Sequence, residues 1–188
     1  MSEVKQDSFF TELIKFVLPA LVIVLILRFF VAQPFIVSGA SMDPTFSNGQ
    51  YLIVDELSYR LESPQRGDVI IFRYPRDPSQ FFIKRIIGLP NETVQISNNS
   101  VTIIKPDGTE FSLDEGYVKN LGNGASQKLT LSDKDYFVMG DNRPESSDSR
   151  IWGSLPSQNI VGRALIRLLP ITSVSIFPGK VQVGSLQD

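Results

Sequence analysis

Residues 13–32 read LIKFVLPALVIVLILRFFVA, with Lys15 and Arg28 near the two ends and nothing ionisable between them. At about 1.5 Å rise per residue such a run spans roughly 30 Å as a helix, the thickness of a bilayer hydrocarbon core, and both basic side chains can reach toward headgroups. A helix packed in a globular core would carry a polar stripe, and this run has none. A cleaved secretory signal would need a small residue three back from its cut, where 30–32 offers Phe-Val-Ala. The run is therefore expected to persist as a single membrane anchor, with residues 1–12 as an N-terminal tail and 33–188 as the globular part. Lys5 and Lys15 precede the span, which favours a cytoplasmic N-terminus and a domain on the far side.

Gln33-Pro34-Phe35 ends the helix and turns the chain toward extended structure as it leaves the membrane. Beyond it, short β-branched and aromatic runs recur between turn signals, at 51–54, 69–74, 81–87, 93–96, 101–104, 136–139, 160–168 and 174–177. This pattern predicts a mainly β domain with little helix. Asn98-Asn99 reads as a hairpin turn, 56–61 as a short helix, and the polar, Gly-rich stretch 116–128 as a mobile surface excursion without a role.

Composition narrows the chemistry. A formal charge of −2 supplies no basic field for a nucleic-acid backbone. The chain has no His and no Cys. That excludes a Ser-His-Asp triad, an imidazole base, a thiol nucleophile and the usual zinc sites. Catalysis would have to use Ser, Thr, Asp, Glu, Lys, Tyr or a bound ion.

Three segments carry the candidate groups. Directly after the anchor, SGASMDPT presents Ser41 among small residues, bounded by Pro34 and Pro44, so that a substrate backbone can approach its hydroxyl. Lys84 interrupts the apolar run FFIKRII. Burial there would lower its pKa far enough to leave a neutral amine near neutral pH. Alternation sets Lys84 on the face of Phe82 and Ile86 and Arg85 on that of Ile83 and Ile87, and the pattern does not say which basic residue is buried. The third segment, GDNRPESSDSRIWG at 140–153, has the density of short polar side chains that suits a hydrogen-bonded network around a site. Asp141 and Asp148 also admit a carboxylate dyad or, with Asn142, a Ca²⁺ site, although the calcium-loop spacing is absent.

SGASMDPT, RGDVIIFRYP, KRIIGLP and GDNRPESSDSRIWG, in that order behind one anchor, resemble the boxes of bacterial type I signal peptidase, the leader peptidase family of Ser/Lys endopeptidases. The resemblance implies a β-rich catalytic domain on the extracytoplasmic side of the cytoplasmic (inner) membrane, single-pass, without metal or cofactor. It implies Ser41 as nucleophile, Lys84 as general base, Ser146 holding the lysine amine, and Asp148 with Arg150 as a supporting ion pair. Phe35, Val37, Met42 and Ile83 would line pockets for small substrate side chains. The implied partners are membrane lipid and preproteins with small residues at positions −1 and −3, cleaved as they emerge from the translocon. Gly39 stands where one branch of the family has a serine as oxyanion donor, so the hole rests on backbone N–H groups. A serine at 39 would then be tolerated, provided that position does not need a positive φ. KRIIGLPNE departs from the family's K-R-x-x-G-x-P-G-D at Asn91 and Glu92. A non-catalytic tethered domain, the main rival, would leave Ser41 and Lys84 far apart.

Overall fold

Two antiparallel sheets account for the β-rich pattern in the structure, a computed structural model that describes residues 9–30, 32–122 and 126–181, without the side chains of 9–10, 23–30 and 32. The larger runs in spatial order β1 (Ala32–Ile36), β2 (Tyr51–Asp55), β11 (Ile160–Leu169), β3 (Val69–Tyr74), β4 (Asp77–Gly88), β9 (Asp135–Met139) and β10 (Leu155–Pro156), with β12 (Ser175–Ile176) paired to β11. The smaller runs β7 (Glu110–Ser112), β6 (Ser100–Ile104), β5 (Thr93–Ser97) and β8 (Gln127–Thr130). The expected strands all recur, the last shortened to two residues. Pro34 lies in β1, which among the described residues pairs only with β2 and sits at the sheet edge, the position where a strand tolerates proline.

Local chemistry explains the turns. Asn98 and Asn99 both take positive φ, at 49° and 63°, as a two-residue hairpin turn requires. The helix expected at 56–61 is a single 3₁₀ turn, Ser58–Arg60, and Asp55 accepts the N–H groups of Leu57 and Ser58 at its start. The stretch 116–128 is not a free excursion. Its end enters β8, 116–122 packs toward the 140–150 loop, and 123–125 lie outside the described residues.

At the N-terminus, α1 runs Phe9–Phe30, so residues 9–12 belong to the helix rather than to a tail, and 1–8 lie outside the described residues. Among the described residues no helix is long and apolar enough to cross a membrane. Residues 23–30 of the run, which include Arg28, are among those without described side chains.

One apolar cluster packs the smaller sheet against β9 through Val94, Ile103, Phe137 and Met139. A second, with Met42, Phe46, Leu52 and Ile71, lies beneath the first turn of the globular part. A third gathers Phe72, Ile86, Val138 and Trp152 on the other face. Because the second half of β4 is covered on both faces, Lys84 and Arg85 are buried together, at 4% and 0% exposure.

Candidate active site

The turn that carries Ser41 is rooted by Met42 and Phe46, both buried, with the Phe46 N–H donating to Met42 O at 2.9 Å. Gly39 precedes Ser41 with φ +90°, and its N–H donates to Asn48 Oδ1 at 2.9 Å. The loop after β9 clamps the turn from the other side. The Asn142 N–H donates to Ser41 O at 3.0 Å, and Asn142 Nδ2 to Ala40 O at 3.1 Å. Gly140 approaches so closely that a Cβ there would collide with both Ser41 O and Ser146 Oγ. Among the described residues the Ser41 N–H has no partner, so it is available to a developing oxyanion.

Lys84 reaches this turn from β4, where it pairs with Ile70. Its Nζ is hydrogen-bonded to Ser41 Oγ at 2.7 Å, donates to Ile83 O at 2.9 Å, and lies 5.3 Å from the centre of the Phe82 ring. Burial lowers the lysine pKa to about 8, against the raising effect of the Asp148 and Asp141 carboxylates and with a smaller lowering from Arg150. A buried amine that is neutral near the working pH, at hydrogen-bond distance from a hydroxyl, can take that hydroxyl's proton.

The 140–153 segment forms a dense polar network, with one partner other than the resemblance implies. Asp148 caps the short helix α2 (Ser149–Trp152) and takes Arg150 in a two-pronged ion pair, Nε to Oδ1 and Nη2 to Oδ2, both at 2.8 Å. Gly140 N–H donates to the same carboxylate at 3.0 Å. The Ser146 hydroxyl donates to Asp148 Oδ2 at 2.7 Å. Among the described hydrogen bonds none joins Ser146 to Lys84.

Asp141 and Arg85 complete the site, a pairing that sequence reasoning missed. Arg85 donates through Nε and Nη2 to Asp141 at 2.9 and 2.5 Å, and Thr45, from the nucleophile's own turn, donates to Asp141 Oδ2 at 2.6 Å. The signal for Arg85 was the second charge in FFIKRII. Since Asp141 and Asp148 each hold their own guanidinium, neither a shared-proton dyad nor a calcium cage describes them.

A cleft of about 500 Å³ opens over Ser41 and Lys84, lined among others by Phe35, Val37, Gly39 and Ile83. Leu52, Ile71 and Phe81 join them. Met42 does not line it. Its side chain is 1% exposed and packs in the core below.

The family model described as signal peptidase, peptidase S26, matches residues 10–169. A probable signal peptidase I-1 from Synechocystis sp. is 42% identical over 170 residues, covering 87% of this chain and 84% of that protein. A signal peptidase I from Leptolyngbya laminosa is 38% identical over 177 residues, covering 90% and 85%. A crystal structure of a signal peptidase I from Enterococcus faecalis V583 covers 54% of this chain and 97% of its own, at 35% identity and a TM-score of 0.46. With the family pattern running through nearly the whole chain and not through one box alone, this protein belongs to peptidase family S26, the signal peptidases, and is a serine endopeptidase of type I that cleaves signal peptides.

Proposed function

We propose that Ser41 and Lys84 form the catalytic dyad of a membrane-anchored signal peptidase. The observation that carries this reading is the 2.7 Å approach of the buried Lys84 amine to Ser41 Oγ at the floor of the cleft. Neutral Lys84 takes the Ser41 proton as Oγ attacks the scissile carbonyl carbon, and the resulting oxyanion is met by the Ser41 N–H. Collapse breaks the C–N bond, and the Lys84 ammonium returns its proton to the departing amine. Water, deprotonated by the same amine, then attacks the ester carbonyl and releases Ser41. Asp148 with Arg150 holds the 140–150 loop behind the dyad, and Ser146 acts there through Asp148.

Substrates bind extended along the open edge of β1, whose residue Phe35 lines the cleft together with the adjoining Val37, by main-chain pairing. The pockets formed with Ile83 are shallow and apolar, which favours small residues at −1 and −3. The apolar run 13–32, with charges only near its two ends, is the part of the sequence that would anchor the domain on the extracytoplasmic face of the cytoplasmic membrane, beside the translocon and against lipid.

Preprotein cleavage in detergent tests the dyad. Ser41→Ala and Lys84→Ala should each abolish processing while the domain stays folded, and an acylating serine inhibitor should label the parent at Ser41 alone. Normal turnover by either variant sinks the assignment. Leu in place of Ala at −1 should block cleavage. Deleting residues 1–32 should release the chain from membranes, and a truncated chain that still sediments with them would refute the anchor.

A further inference from the structure

The connection from β7 to β8 leaves the smaller sheet and meets the loop that holds the nucleophile's turn. Glu115 on this connection forms an ion pair with Arg143, the two side chains 8% and 3% exposed. A second contact of the pair, Arg143 Nη1 to Glu115 Oε2, measures 3.3 Å. Arg143 also donates through Nε to Gly140 O at 3.1 Å and through its backbone N–H to Asn120 O at 3.2 Å. Its own carbonyl accepts Arg150 Nη2 at 2.6 Å. The smaller sheet is thus tied to both ends of the 140–150 loop through one arginine.

We propose that Glu115 is a positioning residue for signal-peptide cleavage, holding Arg143 so that Arg143 fixes Gly140 against the backbone of Ser41. This rests on the reading of Ser41 and Lys84 as the dyad. Gly140 has no slack toward Ser41, because the space a Cβ would need is already filled by Ser41 O and Ser146 Oγ. A displacement of the Gly140 peptide is therefore passed directly to the nucleophile, and a misplacement of about 1 Å can cost on the order of 10² in rate. Glu115 is also what keeps Arg143 charged where it lies. Burial alone would lower the guanidinium pKa, yet the carboxylate raises it above its ordinary value. Without that carboxylate the buried charge would draw in water or swing outward, and the bond to Gly140 O would go with it.

A pair that merely stapled two segments would behave differently. Arg66–Glu92 provides the comparison, since it is an ion pair of similar burial, 10% and 8% exposed, whose carboxylate caps Leu89 instead of touching the 140–150 loop.

The test measures kcat, KM and melting temperature on the full chain in detergent, with one preprotein, for Glu115→Gln, Arg143→Lys and Glu92→Gln. Glu115→Gln should lower kcat about tenfold with KM within about twofold, and Arg143→Lys, which keeps the charge but loses the Nε bond, should do the same. Glu92→Gln should keep kcat within about twofold even where its melting temperature falls as far. If Glu115→Gln does not fold, Arg143→Lys alone decides. Retention of kcat within twofold by the folded variants, or losses that track melting temperature as for Glu92→Gln, overturns the brace while leaving the dyad standing. Cleavage that survives Ser41→Ala overturns the dyad reading and the brace with it.

Discussion

Lys84 Nζ stands 2.7 Å from Ser41 Oγ although 43 positions separate the two residues, and the amine is buried where the hydroxyl borders the cleft. Strand β4 delivers the lysine and the turn after β1 delivers the serine. Their meeting makes burial, which would otherwise only cost stability, the device that leaves the lysine neutral at a useful pH.

The pH profile should report this directly. With the amine lowered to about 8, kcat should rise with pH through that value, because protonated Lys84 cannot accept the serine proton. Asp148→Asn removes the carboxylate that most strongly raises the lysine, so the rising limb of the profile should move to lower pH in that variant. Stopped assays across the neutral and alkaline range measure both, and a limb that moves toward alkaline pH in Asp148→Asn contradicts the assignment.

Gly140→Ala should reduce kcat by about 10²-fold or more. The added Cβ meets the Ser41 carbonyl, which is backbone and cannot rotate away, so the turn itself must shift. Circular dichroism should show a folded domain with a lowered melting temperature, and unchanged kcat would show that the turn has more freedom than this packing allows.

Gly39→Ser should not be neutral. The condition attached to that substitution fails, since Gly39 sits at φ +90°, where an L residue is strained by about 1–2 kcal/mol. A Cβ at this position would meet nothing within 4 Å, so Gly39→Ala should suffer the same backbone strain and no clash. Both variants should lose roughly tenfold in kcat/KM. A serine variant well above the alanine one would identify a working side-chain oxyanion donor.

Asp141→Asn should destabilise the protein far more than Thr45→Val. The first leaves the Arg85 guanidinium, 0% exposed, without its carboxylate, at a cost of about 3–5 kcal/mol. The second removes one hydrogen bond, of order 1 kcal/mol. Urea unfolding of both variants compares them, and equal midpoints would mean that Arg85 finds another partner.

How far the site could be read from the chain differs residue by residue. Ser41 stood out because small neighbours and flanking prolines are local properties, whereas Asp148 with Arg150 was singled out only by the family resemblance, the residues themselves giving no more than a polar network at 140–153. The hydroxyl of Ser146 donates to Asp148, and the sequence does not fix the direction in which a serine side chain turns. Met42 adjoins the nucleophile in the chain yet points into the core, since successive side chains of a turn diverge. Glu115 carried no signal at all, because its partner Arg143 lies on a different segment.

The order of β-branched runs and turn residues determined by itself that the globular part is mainly β, and the absence of His and Cys left serine and lysine among the few side chains able to do the chemistry, since both follow from propensity and from which side chains exist. Tertiary structure alone decided that the second half of β4 is covered on both faces. Alternation offers two apolar sides of one strand with a charge on each, and only the neighbours packed against them assign Lys84 to Ser41 and Arg85 to Asp141. Burial and pairing are properties of the space between segments, and that space forms only when distant parts of the chain close around it.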